Sequence, residues 1–359
     1  MKAAVCYEFG KPLVVEEIDI DEPQMGEVMV KTNACAICHS DIYRIRGDWG
    51  GQPPIVIGHE AAGVVTQLGA GVTGIQPEDH VVVSLLRSCG RCFYCTIGRP
   101  YNCEGEFPLD DKPRLRNKEG TTLAHGLHTA GFAEYLVVDQ SQVVRIPDDM
   151  PLDRACLLAC GVITGLGAVV NTVQVETGSK VVVIGTGGVG LNSVQGAVLS
   201  GAAAIIAVDM LDSKLEAARL FGATHTINAG RQDAVAAVLE LTGGRGADYA
   251  FATVGSSKAI AQAGQMIRPG GTAVIVGMPS NADAPFTLNA HDLTYGRTLV
   301  GSLMGSTRLS VDVPRLVELY QGGRLKLDEL ITNRYPLEQI NEAIESMERG
   351  EAVRNVILF

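Results

Sequence analysis

Four cysteines, Cys89, Cys92, Cys95 and Cys103, are spaced C-x2-C-x2-C-x7-C in the run CGRCFYCTIGRPYNC. Gly90, Gly98 and Pro100 mark turns there, and Arg91, Tyr94 and Arg99 make the surroundings polar. Thiols crowded into such a loop without a metal would be prone to oxidation. Four thiolates form a closed tetrahedral S4 site, the ligand set that suits structural zinc. A closed shell leaves no position for a reactant, so a metal ion that works in catalysis needs ligands elsewhere in the chain.

A chain of 359 residues exceeds one ordinary core, which makes two domains the expectation. Its 42 glycines and 5% aromatics resemble α/β proteins with many tight strand-to-helix turns. The net charge of −11 argues against nucleic acid or an anionic membrane surface as partner, since both reward clustered Lys and Arg. No apolar run is long enough to span a bilayer. The first residues, MKAAVCYEFGKPLVVEE, meet acidic side chains too early for a signal peptide. Nine cysteines in an unsecreted chain read as metal ligands and buried thiols, not as a disulfide framework. The expected compartment is the cytoplasm.

The first 160 or so residues carry short β-type runs punctuated by Gly and Pro, such as EVMVKTNA, HVVVSLL and FAEYLVVD. They predict an irregular, mostly antiparallel barrel-like domain. The texture then changes. VITGLGAVVNTVQV reads as a helix, and from KVVVIGTG to TAVIVGMP strands of unbroken Val, Ile and Ala alternate with helices, the last of them running to Ile267. That is the pattern of a doubly wound parallel sheet covered on both faces. The expected division is 1–161 with 304–359 for the first domain and 162–303 for the second. The 28 residues between Cys103 and Phe132, with His125 and His128, are longer than a minimal connection and are expected to border an active-site mouth.

GTGGVG, Gly185 to Gly190, follows the strand KVVVI and opens a helix, and Asp209 ends the next strand 19 residues beyond Gly190. Gly185, Gly187 and Gly190 therefore have the strand, turn and helix context of a dinucleotide fingerprint. Small residues let the backbone approach a pyrophosphate, which the helix N-terminus stabilises. Asp209 suits ribose hydroxyls and repels a 2′-phosphate, which points to NAD over NADP.

A further set is scattered: CHSD holds Cys38, Ser40 and Asp41, GHE holds His59 and Glu60, and ACG holds Cys160. Two thiolates and one imidazole make the Cys2His set of an open catalytic zinc. Asp41 and Glu60 are placed to orient His59 and tune the ion. Cys35 and Cys38 form a C-x-x-C without the βαβ context of a redox motif, so Cys35, Cys6 and Cys156 are read as structural.

CHSD, GHE, the S4 run, ACGVITGLGAV, VIGTGGVG and a final GEAVRNVILF, in this order, resemble the zinc-dependent medium-chain alcohol dehydrogenases over essentially the whole chain. The resemblance implies a GroES-like catalytic domain joined to a Rossmann coenzyme domain. It implies two zinc ions per chain, hydride transfer between an alcohol and NAD, and a homodimer or homotetramer. By it, Cys38, His59 and Cys160 hold the catalytic zinc with Glu60 just behind, and Ser40 relays the proton. Thr164 contacts the nicotinamide carboxamide, Asp209 and Lys214 the adenosine ribose, and Arg354 and His39 the pyrophosphate. Gly188, Val189 and Met278 also lie along the coenzyme, and Trp49, Leu85 and Met278 line an apolar substrate pocket.

The departures are informative. Tyr43 stands where liver members have a histidine that passes the proton to water. Phe107 stands where glutathione-dependent formaldehyde dehydrogenases have arginine, which counts against a thiol-adduct (S-hydroxymethyl) substrate. Sorbitol and threonine dehydrogenases replace the ligand at Cys160 with an acidic residue. The other readings are a zinc-containing reductase of an activated C=C bond and a non-catalytic nucleotide sensor; the intact open-site ligands and Ser40 disfavour the sensor. TAVIVGMP and RTLVGSLMG are the expected strands for pairing across a two-fold axis.

Overall fold

Gly- and Pro-punctuated β runs build the first of two units in the computed structural model, which describes residues 1–359. This unit is Met1–Cys160 with Arg308–Phe359. Five strands, Lys2–Cys6, Val14–Ile20, Leu115–Asn117, Thr122–His125 and Ile55–Val56, close into a barrel. A seven-stranded sheet runs in the order Val143–Arg145, His80–Ser84, Glu60–Leu68, Glu27–Ala36, Arg354–Leu358 and Ile331–Pro336, with Tyr135–Asp139 also paired to Glu27–Ala36. The strand Arg354–Leu358 thus brings the end of the chain beside Ala34–Ala36, immediately before Cys38. Fully buried Ile37, Ile57, Phe132 and Leu136 pack in the core that this sheet shares with the helix Ile340–Glu348.

The segment 104–131 is not the loop its length suggests. It contains a short helix, Pro108–Asp111, and the hairpin Leu115–Asn117 and Thr122–His125, which supplies two of the barrel strands. The strands are three and four residues long, too short to show an alternation in sequence. Ala124 and His125 pair with Ile55–Val56 and residues 126–131 follow on to the turn at Gly58, while the His125 side chain turns inward, its Nε2 3.3 Å from the backbone nitrogen of Arg114. Burial, and then the charge of Arg114, push the His125 imidazole down to about 4, so it is neutral.

The second unit, Gly161–Thr307, is the parallel sheet. Its strands neighbour one another in the order His225–Asn228, Ala204–Asp209, Lys180–Ile184, Ala247–Ala252, Ile267–Ile275 and Thr298–Gly301, all parallel. In chain order this is 3-2-1-4-5-6, the doubly wound arrangement whose switch point lies beside the first strand. Val182, Ile206 and Ala250 are buried because helices cover the sheet. The helical run after Cys160 is an α-helix, Gly161–Gly167, that widens into a π turn, Ala168–Thr172. Gly165 is required there: a Cβ would sit 2.1 Å from the Val189 carbonyl oxygen of the helix Gly188–Leu199. The helix Ser257–Met266 stops one residue short of Ile267, which already belongs to the next strand. TAVI lies within Ile267–Ile275, whose two edges are both taken, so the sheet's open edge on that side belongs to Thr298–Gly301 alone.

One buried ion pair ties the barrel to the first unit's sheet. Glu27, in the strand Glu27–Ala36, accepts two hydrogen bonds from Arg114, Nη2 at 2.7 Å and Nε at 2.9 Å. Arg114→Met leaves the Glu27 carboxylate buried and unpaired, an expected loss of about 3–5 kcal/mol. A lower thermal midpoint of the first unit, with the second unit's transition unchanged, checks this.

Candidate active site and metal centres

The ligand cluster is assembled by one carboxylate. The helix His39–Arg46 begins after Cys38, whose extended backbone makes it the N-cap, and Asp41 in the first turn accepts the Cys38 N–H through Oδ2 at 2.9 Å. The other oxygen of Asp41 lies 2.8 Å from His59 Nδ1 and accepts the Gly58 N–H at 3.3 Å. Asp41 is fully buried, so its two oxygens fix the start of the helix, the turn at Gly58 and the His59 ring together. With Nδ1–H donated to Asp41, the lone pair of the ring sits on Nε2. Ser40 Oγ lies 3.2 Å from that nitrogen.

Cys160 arrives from the other side. Ser84 pairs in register with Glu60 and donates its hydroxyl to the Ala159 carbonyl at 2.6 Å, which sets the residue before Cys160. The ligand atoms of Cys38, His59, Glu60 and Cys160, all buried, lie within 4.8 Å of one another. Arg354, from the last strand, pairs with Glu60 Oε2. Glu60 Oε1 is buried with no hydrogen-bond partner.

Burial pushes the Glu60 carboxyl up to about 7 against the opposing charge of Arg354. A hydrogen bond from Cys160, over the opposing burial, holds the Cys38 thiol well below its usual value, while the same contact and burial push Cys160 well above. Burial opposes charge on His59, but Asp41 and Cys38 raise its pKa well above the usual imidazole value. Two thiols, one imidazole and an orphaned carboxylate oxygen around one point fit a divalent cation, and softness and number favour zinc. Metal binding there displaces protons from the thiols and the ring.

The second cluster is the S4 run. The sulfur atoms of Cys89, Cys92, Cys95 and Cys103 also lie within 4.8 Å of one another, and no disulfide joins them. The turns aim backbone amides at the thiols: Cys89 N at Cys103 Sγ, 3.2 Å, Cys92 N at Cys89 Sγ, 3.3 Å, and Gly105 N at Cys103 Sγ, 3.3 Å. Such donors favour thiolate; those of Cys95 and Glu104 bring Cys92 down to about 6. Burial pushes Cys95 up to about 12. The donor set fits a closed zinc site. Cys6, Cys35 and Cys156 belong to neither cluster and are buried, and burial raises all three thiol pKa values.

The glycine-rich turn lies between the strand Lys180–Ile184 and the helix Gly188–Leu199. Gly185 has φ +89°, and a Cβ on Gly190 would fall 1.8 Å from the Gly185 carbonyl oxygen. A Cβ on Gly187, by contrast, would meet nothing within 4 Å, which leaves open space at the helix N-terminus for a pyrophosphate. Asp209 Oδ2 accepts from Thr186, N–H at 2.7 Å and Oγ1 at 3.1 Å, and Oδ1 from the amides of Met210 and Leu211 at 2.8 and 3.1 Å. The carboxylate therefore clamps the turn as well as presenting negative charge beside it.

The remaining expected residues are placed as follows. His39 is exposed and Ser40 half-buried on the first turn of their helix, while Trp49 stacks on Tyr43 with ring centroids 5.2 Å apart. Leu85 is half-buried just past the strand that ends at Ser84. In the second unit Thr164 is buried with its hydroxyl 3.6 Å from Met304 Sδ, Val189 and Gly188 open the helix, Lys214 is half-buried on Asp212–Leu220, and Met278 is exposed beyond Ile275. The sequence reading missed Ser84, Thr186 and Thr253, whose hydroxyl donates to the Gly185 carbonyl at 2.7 Å. It also missed that Arg354 partners Glu60. No local spacing signals contacts between residues so far apart in the chain.

Two family profiles match the chain: the alcohol dehydrogenase GroES-like domain over residues 24–148 and the zinc-binding dehydrogenase over residues 188–322. The chain is 41% identical over 364 residues to putative alcohol dehydrogenase D of Mycobacterium tuberculosis, covering 99% of each protein. It is 41% identical over 365 residues to the NDMA-dependent alcohol dehydrogenase of Amycolatopsis methanolica, covering 99% of this chain and 98% of that protein. The crystal structure of benzyl alcohol dehydrogenase from Acinetobacter calcoaceticus superposes with a TM-score of 0.93 at 32% identity, covering 100% of this chain and 99% of that one. The chain belongs to the zinc-dependent medium-chain alcohol dehydrogenases. It is an NAD-linked oxidoreductase with one open and one closed zinc site.

Elemental analysis of the purified protein is expected to find two zinc ions per chain. Asp41→Asn, which keeps the shape but weakens the hold on His59, is expected to lower zinc affinity at the open site about 10–100-fold. Zinc retained against a graded chelator measures it.

Proposed function

We propose that the protein oxidises a primary or secondary alcohol carrying an apolar substituent to the aldehyde or ketone, using NAD, and catalyses the reverse reduction with NADH. The observation that carries this reading is the buried Cys38, His59 and Cys160 set with the Ser40 hydroxyl beside it. Zinc held there supplies Lewis acidity toward the substrate oxygen, and the nicotinamide supplies the hydride acceptor or donor. Ser40, its Oγ 3.2 Å from His59 Nε2, would accept the hydrogen bond of the substrate hydroxyl and give up its own proton to the coenzyme ribose and outward, so that it relays the proton without keeping it. Asp41 keeps that ring from rotating and fixes its tautomer. Glu60, held through one oxygen by Arg354, keeps its other oxygen at the ligand cluster and adjusts the local charge.

Trp49 and Leu85 favour an apolar substrate portion, and Tyr43, stacked on Trp49, belongs to the same wall. Likeness to a benzyl alcohol dehydrogenase supports an aromatic primary alcohol as the first substrate to test. Coenzyme contacts are assigned to His39, Thr164, Gly185, Gly187, Gly188, Val189, Gly190, Asp209, Lys214, Met278 and Arg354. The fixed carboxylate of Asp209 supports NAD over NADP, because a 2′-phosphate would bring like charge to it. No single helix is long and apolar enough to cross a membrane. A cytoplasmic homodimer or homotetramer is our reading, with the open edge of Thr298–Gly301 as the pairing strand.

A panel of alcohols and carbonyls, run in both directions with NAD and NADP, tests the activity. No turnover on any member with zinc-loaded protein would sink it. Cys160→Ser is expected to abolish turnover while leaving circular dichroism and NAD binding largely intact. Asp209→Gly is expected to narrow the preference for NAD over NADP, read as the ratio of kcat/KM values.

A further inference from the structure

Left-handed backbone is costly for a residue with a Cβ, and it is concentrated in one place in the first unit. Leu127 has φ +49°, His128 φ +60° and Ala130 φ +60°, three such residues within four. Strained backbone of this kind persists only where the surroundings over-determine it. Here the strained turn ends against the centre. The Gly131 amide donates to the Gly58 carbonyl at 2.7 Å and the Phe132 amide to the Ile57 carbonyl at 2.8 Å. Gly58 has φ +93°, and a Cβ on it would sit 2.6 Å from the Phe132 nitrogen. His59 and Glu60 follow directly. The buried amide of Gln142 adds a second link, donating to the His128 carbonyl at 3.1 Å and the Ser84 carbonyl at 2.8 Å. Ser84 is the residue that pairs with Glu60 and sets Ala159.

What holds the turn from outside is the S4 lobe. Arg87, two residues before Cys89, lies over the ring of Phe107, four residues after Cys103, at 4.2 Å. The two ends of the zinc knuckle are thereby stacked on each other. Arg87 also grips Asp110 in a two-pronged pair, Nη1 to Oδ1 at 2.9 Å and Nη2 to Oδ2 at 2.8 Å. Asp110 Oδ1 lies 3.3 Å from His128 Nδ1, on the strained turn. A continuous path therefore runs from the S4 thiols through Arg87, Asp110 and His128 to the backbone that carries His59.

We propose that Arg87, Asp110 and His128 are positioning residues that use the metal-folded S4 lobe to hold the 127–130 turn, and through it the catalytic metal ligands, in place. The closed zinc site then contributes to the geometry of the open one, beyond the stability of its own loop. Asp110 and His128 are exposed enough for their side chains to be changed without opening the core.

The test uses purified holoenzyme and reads metal, not turnover. Zinc retained against a graded chelator is counted for the wild type, Asp110→Ala, Asp110→Asn and Arg87→Lys, with Cys160→Ser marking which zinc belongs to the open site. Asp110→Ala is expected to hold that zinc about tenfold more weakly, a loss at the lower end for groups that orient ligands. The knuckle zinc stays at one per chain, and cobalt(II) exchanged into the open site shows a shifted visible spectrum. Asp110→Asn, which keeps an acceptor oxygen, recovers part of the affinity, and Arg87→Lys shows a smaller loss of the same kind. Unchanged zinc retention and cobalt spectrum in both Asp110→Ala and Arg87→Lys would overturn the proposal. So would loss of both zinc ions in parallel, or loss of the open-site zinc only in step with unfolding, since either assigns the cluster to general stability.

Discussion

The Asp41 carboxylate is the contact on which the centre depends. It is fully buried and accepts from the Cys38 amide, the Gly58 amide and His59, so it joins the start of a helix to the turn 17 and 18 residues away in sequence that leads into the strand Glu60–Leu68. Removing it would leave buried amides without partners, at about 1–3 kcal/mol each, and would free the imidazole to turn. An ionised carboxylate in such a place is itself unfavourable unless it meets positive charge. Glu60 and the thiols of Cys38 and Cys160 add to the same demand, with Arg354 paired to Glu60 and His59 to Asp41. A divalent cation completes the balance. The metal is therefore part of what makes this arrangement of anions stable, as well as part of the chemistry.

The same logic, applied at the S4 run, gives a different result because of where the donors lie. There the backbone supplies the compensation: amides of Cys89, Cys92 and Gly105 point at sulfur. Four sulfur ligands there leave no vacancy. The open centre has three ligands plus a carboxylate held back by Arg354, with a hydroxyl at the imidazole. Ligand number and neighbouring polar groups, more than metal identity, separate a structural ion from a working one.

Features that rest on local physical requirements were legible in the sequence. The turn GTGGVG needs glycine at Gly185 for its φ and at Gly190 for backbone contact, and those needs fall within six residues. The S4 spacing and the alternation of apolar strands with helices are local in the same sense, and they made the parallel sheet legible, though not its strand order. What failed to show were features made by distant chain. Arg354 meets Glu60 across 294 residues, and Ser84 meets Ala159 across 75. The barrel strands within 104–131 were not legible because they are held by register with Val14–Ile20 and Ile55–Val56, not by a pattern of their own. A helix boundary at Met266 was missed by one residue because Ile267 suits either state.

Backbone strain follows the sites in both units. Of seven non-glycine residues with positive φ, five fall in two segments, Leu127, His128 and Ala130 in the first unit and Met304 and Ser306 in the second. The first segment abuts Gly58, next to His59. In the second, Gly305 presses on the helix Gly161–Gly167 so closely that a Cβ on it would lie 2.0 Å from the Ile163 carbonyl oxygen, next to Thr164. Glycine at all these positions would remove the strain but would widen the unfolded ensemble and let the turn move. Side chains with a Cβ, locked by Gln142 and Asp110 in one case and by packing on Gly167 in the other, give a turn with few alternatives. Rigid placement of His59 and of the helix Gly161–Gly167 is served by that kind of backbone, and the strain is a consequence of it.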